Sequence, residues 1–284
     1  MRLLFLIFML FVNKASIGQM TVEEDAALPE SVSNNAVCEG FIGVSPYLFS
    51  FGGIDSALSP NGIHLRSFRV NFETGVTESI GYLPDDMGKI AAGIGDIIYI
   101  AGGYYDLSNF SELSSAKLHR YDIINNTYLP NVPNIPFATD DHVQVVWRDS
   151  LIYLVTGWSN TTNVPYKQIY NPSDNNWTRA NNLPVDARYR SFGASGSIVE
   201  DTIYYFGGAS SSAGFNIQNY LRKGIINPDN PSEVNWSISI PDENIDGYIM
   251  ACTNVGNEIH WIGGRTETYN LMALHIMEVA VFHL

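Results

Sequence analysis

A short apolar segment that ends in glycine recurs five times along the 284-residue chain, and this repeat constrains the fold more than any other feature. The final glycines are 50, 54, 51 and 56 residues apart, at Gly53, Gly103, Gly157, Gly208 and Gly264. In four copies a second glycine stands directly before the last one, whereas Thr156 takes that place in the third copy. A period of about 50 residues indicates a repeat architecture in which every copy is one small supersecondary unit.

Two further markers fall between the glycine segments in a fixed order. An aliphatic residue precedes a proline once per repeat, at Pro29, Pro84, Pro136, Pro184 and Pro241. Trp177 and Trp236 each open the segment that leads to the next proline. The chain is rich in glycine, tyrosine and phenylalanine, and charged residues make up only 15% of it. This composition favours strands and turns over helices, so we expect an all-β fold.

Together these markers resemble the kelch repeat, whose unit is one four-stranded blade of a β-propeller. The resemblance implies a single kelch-type propeller domain over residues 19–284, with distant similarity to propellers of the N-acetylneuraminate mutarotase and galactose oxidase type. It also implies structural roles for the glycine pairs and for the tryptophans that pack between blades: Gly52, Gly53, Gly102, Gly103, Gly157, Gly207, Gly208, Gly263, Gly264, Trp177 and Trp236. The chain departs from the pattern at Thr156 and at His260, which occupies the place of a strand tyrosine.

The number of repeats predicts five four-stranded blades, with an N-terminal strand at residues 21–29 completing the last blade. A truncated six-bladed chain is the alternative. In a five-bladed ring, Cys38 and Cys252 would both lie in innermost strands of adjoining blades. A disulfide between them is one expectation for an exported chain, and two buried free thiols are the other.

Residues 1–18 have the pattern of a signal peptide. Arg2 precedes an apolar run over residues 3–12, which is too short to span a bilayer. We therefore expect a secreted or periplasmic protein with no membrane attachment after cleavage; a membrane anchor or a buried strand is the alternative reading. The formal net charge of −14 argues against a nucleic-acid partner, because phosphate recognition needs basic surface.

Loops after the glycine pair and loops after the proline should lie on one face, because strands alternate in direction within a blade. These loops mix carboxylates, amides and aromatic rings, which suits a glycan or a protein ligand. The candidate ligand-binding residues on this face are Asp55, His64, Tyr104, Tyr105, Asp106, Asp140, His142, Trp158, Asn160, Arg265, Glu267 and Tyr269.

Two functions follow from these observations. The favoured one is an exported binding module that holds a glycan or a protein through its loop face. The alternative is a sugar epimerase that is similar to the N-acetylneuraminate mutarotases, with candidate catalytic residues placed by repeat position alone: Arg188, Arg190, Glu243 and Asp246. No cofactor or metal is expected, since the sequence holds no phosphate-binding loop and no zinc-ligand spacing. A copper site like that of galactose oxidase has no matching cysteine, tyrosine and histidine set.

Overall fold

The protein is all-β in a computed structural model of the chain. The structure describes residues 16–17, 26–56, 62–84, 90–106, 112–130, 132–242, 245, 247–265, 267–268 and 279–283. Within these residues, the regular elements are 24 strands and short 3-10 turns, of which two span Ala187–Tyr189 and Ser211–Ala213.

The strands follow one another at short intervals along the chain. The first twelve are β1 (Ser16–Ile17), β2 (Ala36–Ile42), β3 (Ser45–Ile54), β4 (Ile63–Asn71), β5 (Thr77–Tyr82), β6 (Ile90–Ile94), β7 (Ile97–Ala101), β8 (Tyr104–Asp106), β9 (Glu112–Ser114), β10 (Leu118–Asp122), β11 (Thr127–Leu129) and β12 (Val143–Trp147). The others are β13 (Leu151–Val155), β14 (Trp158–Ser159), β15 (Thr162–Asn163), β16 (Tyr166–Asn171), β17 (Asn176–Asn182), β18 (Phe192–Val199), β19 (Thr202–Ala209), β20 (Leu221–Asn227), β21 (Asn230–Ser239), β22 (Ala251–Val255), β23 (Glu258–Ile262) and β24 (Val279–His283).

Four sheets are antiparallel blades made of strands close together in the chain. Their orders are β2-β3-β4-β5, β6-β7-β10-β11, β12-β13-β16-β17 and β18-β19-β20-β21. We call these sheets blades 1 to 4. The first strand of each blade packs against the first strand of the next, and β18 packs against β22 in the same way. The first strands therefore surround a common axis, which is the arrangement of a β-propeller.

Aromatic side chains fill the space between adjacent blades. Tyr99 of blade 2 packs 5.8 Å from Tyr170 of blade 3, and Tyr170 packs 5.1 Å from Trp177, as measured between ring centroids. Tyr153 and Tyr204 are likewise buried. The large area that each ring removes from water makes these contacts the main source of cohesion between blades.

The glycine pairs are needed because neighbouring loops approach them closely. Gly102 has a φ of +64°, and a Cβ there would lie 2.2 Å from the carbonyl oxygen of Thr139. Thr139 belongs to the loop that leads into the first strand of the next blade, which we call that blade's entry loop. Thr156, which replaces a glycine, adopts a φ of +54° all the same. Its hydroxyl donates to the carbonyl of Ser191 and accepts from the Ser191 N–H, both at 2.9 Å. These two hydrogen bonds offset part of the strain.

A fifth sheet has the order β22-β23-β24-β1, so it joins the C-terminal strands to a segment near the N-terminus. Ser16 and Ile17 pair with Val281 and Ala280. The prediction that residues 21–29 form this strand is not met: residues 26–28 are described and are not a strand, and residues 21–25 lie outside the described residues. The carbonyl of Ala27 instead accepts a hydrogen bond of 2.8 Å from the Thr77 hydroxyl in blade 1.

Of the two expectations for the cysteines, the structure has the free thiols, because no disulfide joins Cys38 and Cys252. The Cys38 side chain packs into the cluster between blades 1 and 2, beside Gly93. The Cys252 side chain packs with Phe206 and Trp261 between blade 4 and the fifth sheet. The two thiols thus point into different interfaces, although their strands have equivalent places in the repeat. Burial raises the pKa of the Cys38 thiol to about 12 and also raises that of Cys252.

Candidate functional site

The two classes of loop meet on one face of the propeller, which we call the rim face. Short β-bridges join a loop that enters a blade to a segment near that blade's glycine pair: Ser33 to Ile54, Asp140 to Trp158 and Tyr248 to Arg265. Each bridge fixes the position of an entry loop against a rigid strand end. The rim face is therefore preorganised by backbone hydrogen bonds rather than made of independent loops.

Side chains also connect the rim loops of neighbouring blades. The Ser114 hydroxyl of blade 2 donates to the Asp140 carboxylate, and the Ser114 N–H donates to the Asn160 Oδ1 at 2.9 Å. In the next interface, the Asn163 Oδ1 accepts from the N–H and the hydroxyl of Ser211, each at 2.9 Å. These contacts link blades 2, 3 and 4 into one continuous surface.

An aromatic cluster lies between the loops of blades 3 and 4. Trp158 packs 5.1 Å from buried Phe192 and 5.8 Å from Phe215, and Phe192 packs 5.7 Å from Tyr248. Phe192 and Tyr248 form the buried base of the cluster, whereas Trp158 is partly exposed and Phe215 is 38% exposed.

The first strands enclose a central cavity of about 450 Å³, a volume within the range of small-molecule sites. Its described lining is mostly neutral, with Asn34, Asn35, Gln144 and Ser195 among the polar members. Gln144 donates to the Tyr99 carbonyl at 3.1 Å, which holds its amide in place.

A charged and titratable part of the same cavity is contributed by the entry loop of blade 3. Asp141 accepts a hydrogen bond from the Tyr248 hydroxyl at 3.3 Å. The His142 ring lies 3.5 Å from the Gln144 side-chain oxygen and is completely buried. Both side chains are thus held by neighbouring polar groups, and no arginine or lysine belongs to the described lining.

The residues predicted for ligand binding differ in how far their side chains are exposed to solvent. Buried ones are His64, Tyr104, Asp140, His142 and Arg265. Asp55 and Trp158 are partly exposed, and Asn160 and Glu267 are exposed. The side chains of Tyr105 and Asp106, and the whole of Tyr269, lie outside the described residues. Trp158 and Asn160 are thus brought together on one accessible loop, whereas the buried members hold the rim in shape.

The candidate catalytic residues are not assembled into one site among the described residues. Arg188 is half-exposed and pairs with Asp186, with 2.6 Å between nitrogen and oxygen. This pairing raises the pKa of Arg188 and lowers that of Asp186. Arg190 is partly exposed on the same loop, and Glu243 and Asp246 lie outside the described residues.

Sequence reasoning missed Arg222, a fully buried cation in the third strand of blade 4. It donates to the carbonyls of Arg188 at 2.8 Å and Gly207 at 2.7 Å, and its guanidinium lies 5.2 Å from the Tyr205 ring centroid. Burial lowers its pKa to about 10. Its signal in the sequence was the two-residue spacing that places Arg222 on the same strand face as Gly224 and Ile226, which are both buried.

Gln168 has the corresponding role in blade 3. It occupies the equivalent position on the third strand and bonds both backbone groups of Phe137, at 2.8 and 3.0 Å. A polar side chain on the third strand therefore anchors the entry loop in both blades.

Two negative findings concern the described part of the chain only. No group of three histidine, cysteine or acidic side chains there has a geometry that could hold a metal ion. Nor does any helix in that part have the length and apolar character needed to cross a membrane.

The ring of blades, the glycine pairs and the rim loops define a kelch-type β-propeller. Kelch-like protein 36 of Mus musculus is 27% identical over 174 residues, covering 61% of this chain and 26% of that protein. The Bos taurus protein of the same name is 25% identical over 179 residues, covering 63% of this chain and 27% of that protein. The chain thus spans about a quarter of the length of these relatives.

The solved structure of YjhT has the same fold. It superposes with a TM-score of 0.65 over 84% of this chain and 74% of YjhT, at 14% sequence identity. No protein-family model matches the sequence. The similarity to the kelch-like proteins, together with the fold shared with YjhT, identifies the chain as a kelch-repeat propeller.

Proposed function

We propose that this propeller is an extracytoplasmic binding module that holds a protein or glycan ligand on its rim face. The hydrogen bonds between described rim loops of blades 2, 3 and 4 support this most directly: loops that are held in this way lose little conformational entropy on association. The described lining of the central cavity offers Asp141 and His142 but no arginine, so among the described residues it does not supply the paired cation and carboxylate that the epimerase alternative calls for.

The proposal is tested by comparing a rim variant with a variant of the opposite face. Asn163→Ala removes the acceptor that holds Ser211, whereas Val44→Asp changes a side chain that is 91% exposed in the turn between β2 and β3. Partners captured by the immobilised wild type from a cell-surface extract are identified, purified and titrated. We expect Asn163→Ala to weaken binding at least tenfold and Val44→Asp to leave it unchanged. Equal effects of the two variants would contradict binding at the rim.

Export and ring closure are proposed together. Cleavage after Gly18 would remove β1, because Ser16 and Ile17 lie inside the predicted signal peptide. We propose that residues 21–25, which precede the segment held against blade 1, then take the outer position of the fifth sheet and complete five blades. The mass and N-terminal sequence of the exported protein test the cleavage. Amide hydrogen exchange tests the closure: protection of residues 21–25 in the mature chain is expected, and rapid exchange there would refute it.

A further inference from the structure

Two neighbouring rim loops each carry an aromatic ring that is only partly buried. Trp158 lies on the β14–β15 hairpin, and Phe215 follows the 3-10 turn at Ser211–Ala213. Their ring centroids are 5.8 Å apart at an interplanar angle of 57°. Phe192 supports Trp158 from below and is itself buried, so Phe215 is the outermost ring of the cluster.

Phe215 occupies a backbone conformation that costs free energy. Its φ of +65° lies in the left-handed region, which is unfavourable for a bulky side chain. The conformation is held on both sides, because the Phe215 N–H donates to the Ser210 carbonyl at 2.9 Å and its carbonyl accepts from the Thr268 hydroxyl at 2.9 Å. The fold thus holds a strained residue whose ring is partly exposed beside Trp158, and such strain concentrates at functional sites.

The two loop segments that carry the rings are themselves uncharged, although Asp140 pairs with Trp158 through the backbone and exposed Glu267 precedes Thr268, which bonds the Phe215 carbonyl. Residues 156–166 and 209–221, which contain both loops, include no charged side chain in a chain of net charge −14. Asn160, Ser212 and Asn216 are the exposed polar side chains next to the rings in sequence. A charged ligand would find no counter-charge on these loops, whereas an uncharged ligand with many hydroxyl groups would find amides and a hydroxyl.

Among the described residues, the Asn160 amide can still donate a hydrogen bond and the Asn216 amide can still accept one. The Asn160 Oδ1 already accepts from the Ser114 N–H, which leaves its Nδ2 as a donor. The Asn216 Nδ2 already donates to the Ala213 carbonyl at 2.9 Å, which leaves its Oδ1 as an acceptor. A donor and an acceptor beside an aromatic plane match the hydroxyl groups and the apolar C–H face of a sugar ring.

We propose that Trp158 and Phe215, with Asn160 and Asn216, form a binding site for a neutral oligosaccharide. This inference rests on the proposed binding function of the rim and names its ligand class. The sugar ring stacks on Phe215, and its hydroxyls exchange hydrogen bonds with the two amides. Ionic strength should have little effect on the affinity, because no charge pairs form.

The test uses the full chain produced without glycosylation, because Asn160 belongs to an Asn-x-Thr triplet. The protein is applied to an array that carries neutral oligosaccharides together with sialylated and sulfated ones. Neutral glycans that bind are then titrated by tryptophan fluorescence, at low salt and at high salt. We expect binding of neutral glycans only, with a dissociation constant that changes less than twofold with salt.

Three variants separate the site from the fold. Phe215→Ala and Phe215→Gly should each weaken binding at least tenfold, because both remove the ring. Phe215→Gly should melt at a higher temperature than Phe215→Ala, because glycine adopts a φ of +65° without strain. Phe72→Ala changes an exposed ring in the β4–β5 turn on the opposite face and should bind as the wild type does.

Three results would overturn the inference: no neutral glycan bound, binding of charged glycans alone, or an affinity unchanged in both Phe215 variants. If the array gives no binding while a protein partner is still captured through the rim, the sugar site is refuted and the proposed function stands. If rim-dependent capture fails as well, both are refuted.

Discussion

Replacing Lys167 with methionine should stabilise the protein at neutral pH. Lys167 lies on β16 opposite Val155, and it is only 1% exposed. It also lines a cleft of about 560 Å³ between the outer strands of blades 3 and 4, whose lining includes the apolar Ile226 and Val234 as well as the polar Asn182 and Glu233. Methionine has a similar length and no charge, so it removes a buried cation without leaving a large hole.

The expected size of the effect follows from the pKa. Burial lowers the pKa of Lys167 from 10.5 to about 8, which corresponds to about 3 kcal/mol of preference for the neutral form. Below pH 8 the lysine is protonated in both the native and the unfolded state, so burial of the charge lowers the free energy of unfolding by this full amount. Allowing for lost polar contacts of the ammonium, we expect Lys167→Met to raise the free energy of unfolding at pH 7 by about 1–3 kcal/mol.

The sign of the pH dependence gives an independent check. Between pH 8 and 10.5 the unfolded chain binds more protons at this lysine than the native chain does, so wild-type stability gains from this group as the pH rises. The advantage of Lys167→Met should therefore shrink between pH 7 and pH 9.5. Urea unfolding at both pH values measures it, with Lys223→Met as a reference for the loss of one positive charge. A variant that is less stable than the wild type at pH 7, or an advantage that grows with pH, would refute the reasoning.

Three further predictions concern the glycine positions and the thiols. Gly102→Ala should cost more than 2 kcal/mol in urea unfolding, because its Cβ would meet the Thr139 carbonyl oxygen at 2.2 Å; a loss like that of Gly43→Ala, which has open space around it, would contradict the close approach. Thr156→Gly should change stability by less than about 1 kcal/mol, because relieved strain offsets two lost hydroxyl bonds, and a larger loss would mean that the bonds dominate. Both thiols should resist Ellman's reagent in the native protein at pH 8 and both should react after denaturation without reductant, whereas no reaction after denaturation would indicate a disulfide.

The blades could be predicted from the sequence because the repeated residues make the same kinds of contact in each blade. The glycine pair and the strand tyrosine each meet the same kind of neighbour in the next blade, whereas Trp177 packs against the preceding blade. One pattern therefore predicts both sides of several interfaces at once. Positive φ at Gly102, Gly207 and even Thr156 follows from the same position in the repeat.

Features that do not repeat could not be predicted in this way. Cys38 and Cys252 lie in equivalent strands, but their positions differ by one residue. Cys38 pairs with Phe49, four residues before the last glycine of its repeat, whereas Cys252 pairs with Trp261, three residues before the last glycine of its own. Because a strand alternates its side chains between two faces, this shift of one residue places the two thiols in different interfaces. The contact of Ser114 with Asn160 joins two loops of unequal length, so no spacing in the sequence indicates it. The pairing of β24 with Ser16 and Ile17 depends on the two ends of the chain meeting, which local patterns do not report.

Thr156 and Phe215 are both strained residues on the rim, but their side chains are held in different ways. Both are non-glycine residues in the left-handed region, with φ values of +54° and +65°. The Thr156 side chain is buried and its two hydrogen bonds to Ser191 offset the strain, so folding alone accounts for the residue. The Phe215 side chain instead packs 5.8 Å from the Trp158 ring and 6.3 Å from the Phe192 ring and is 38% exposed, whereas glycine would adopt the same φ at less cost. Its partly exposed ring is therefore the place where ligand binding on the rim is most directly tested.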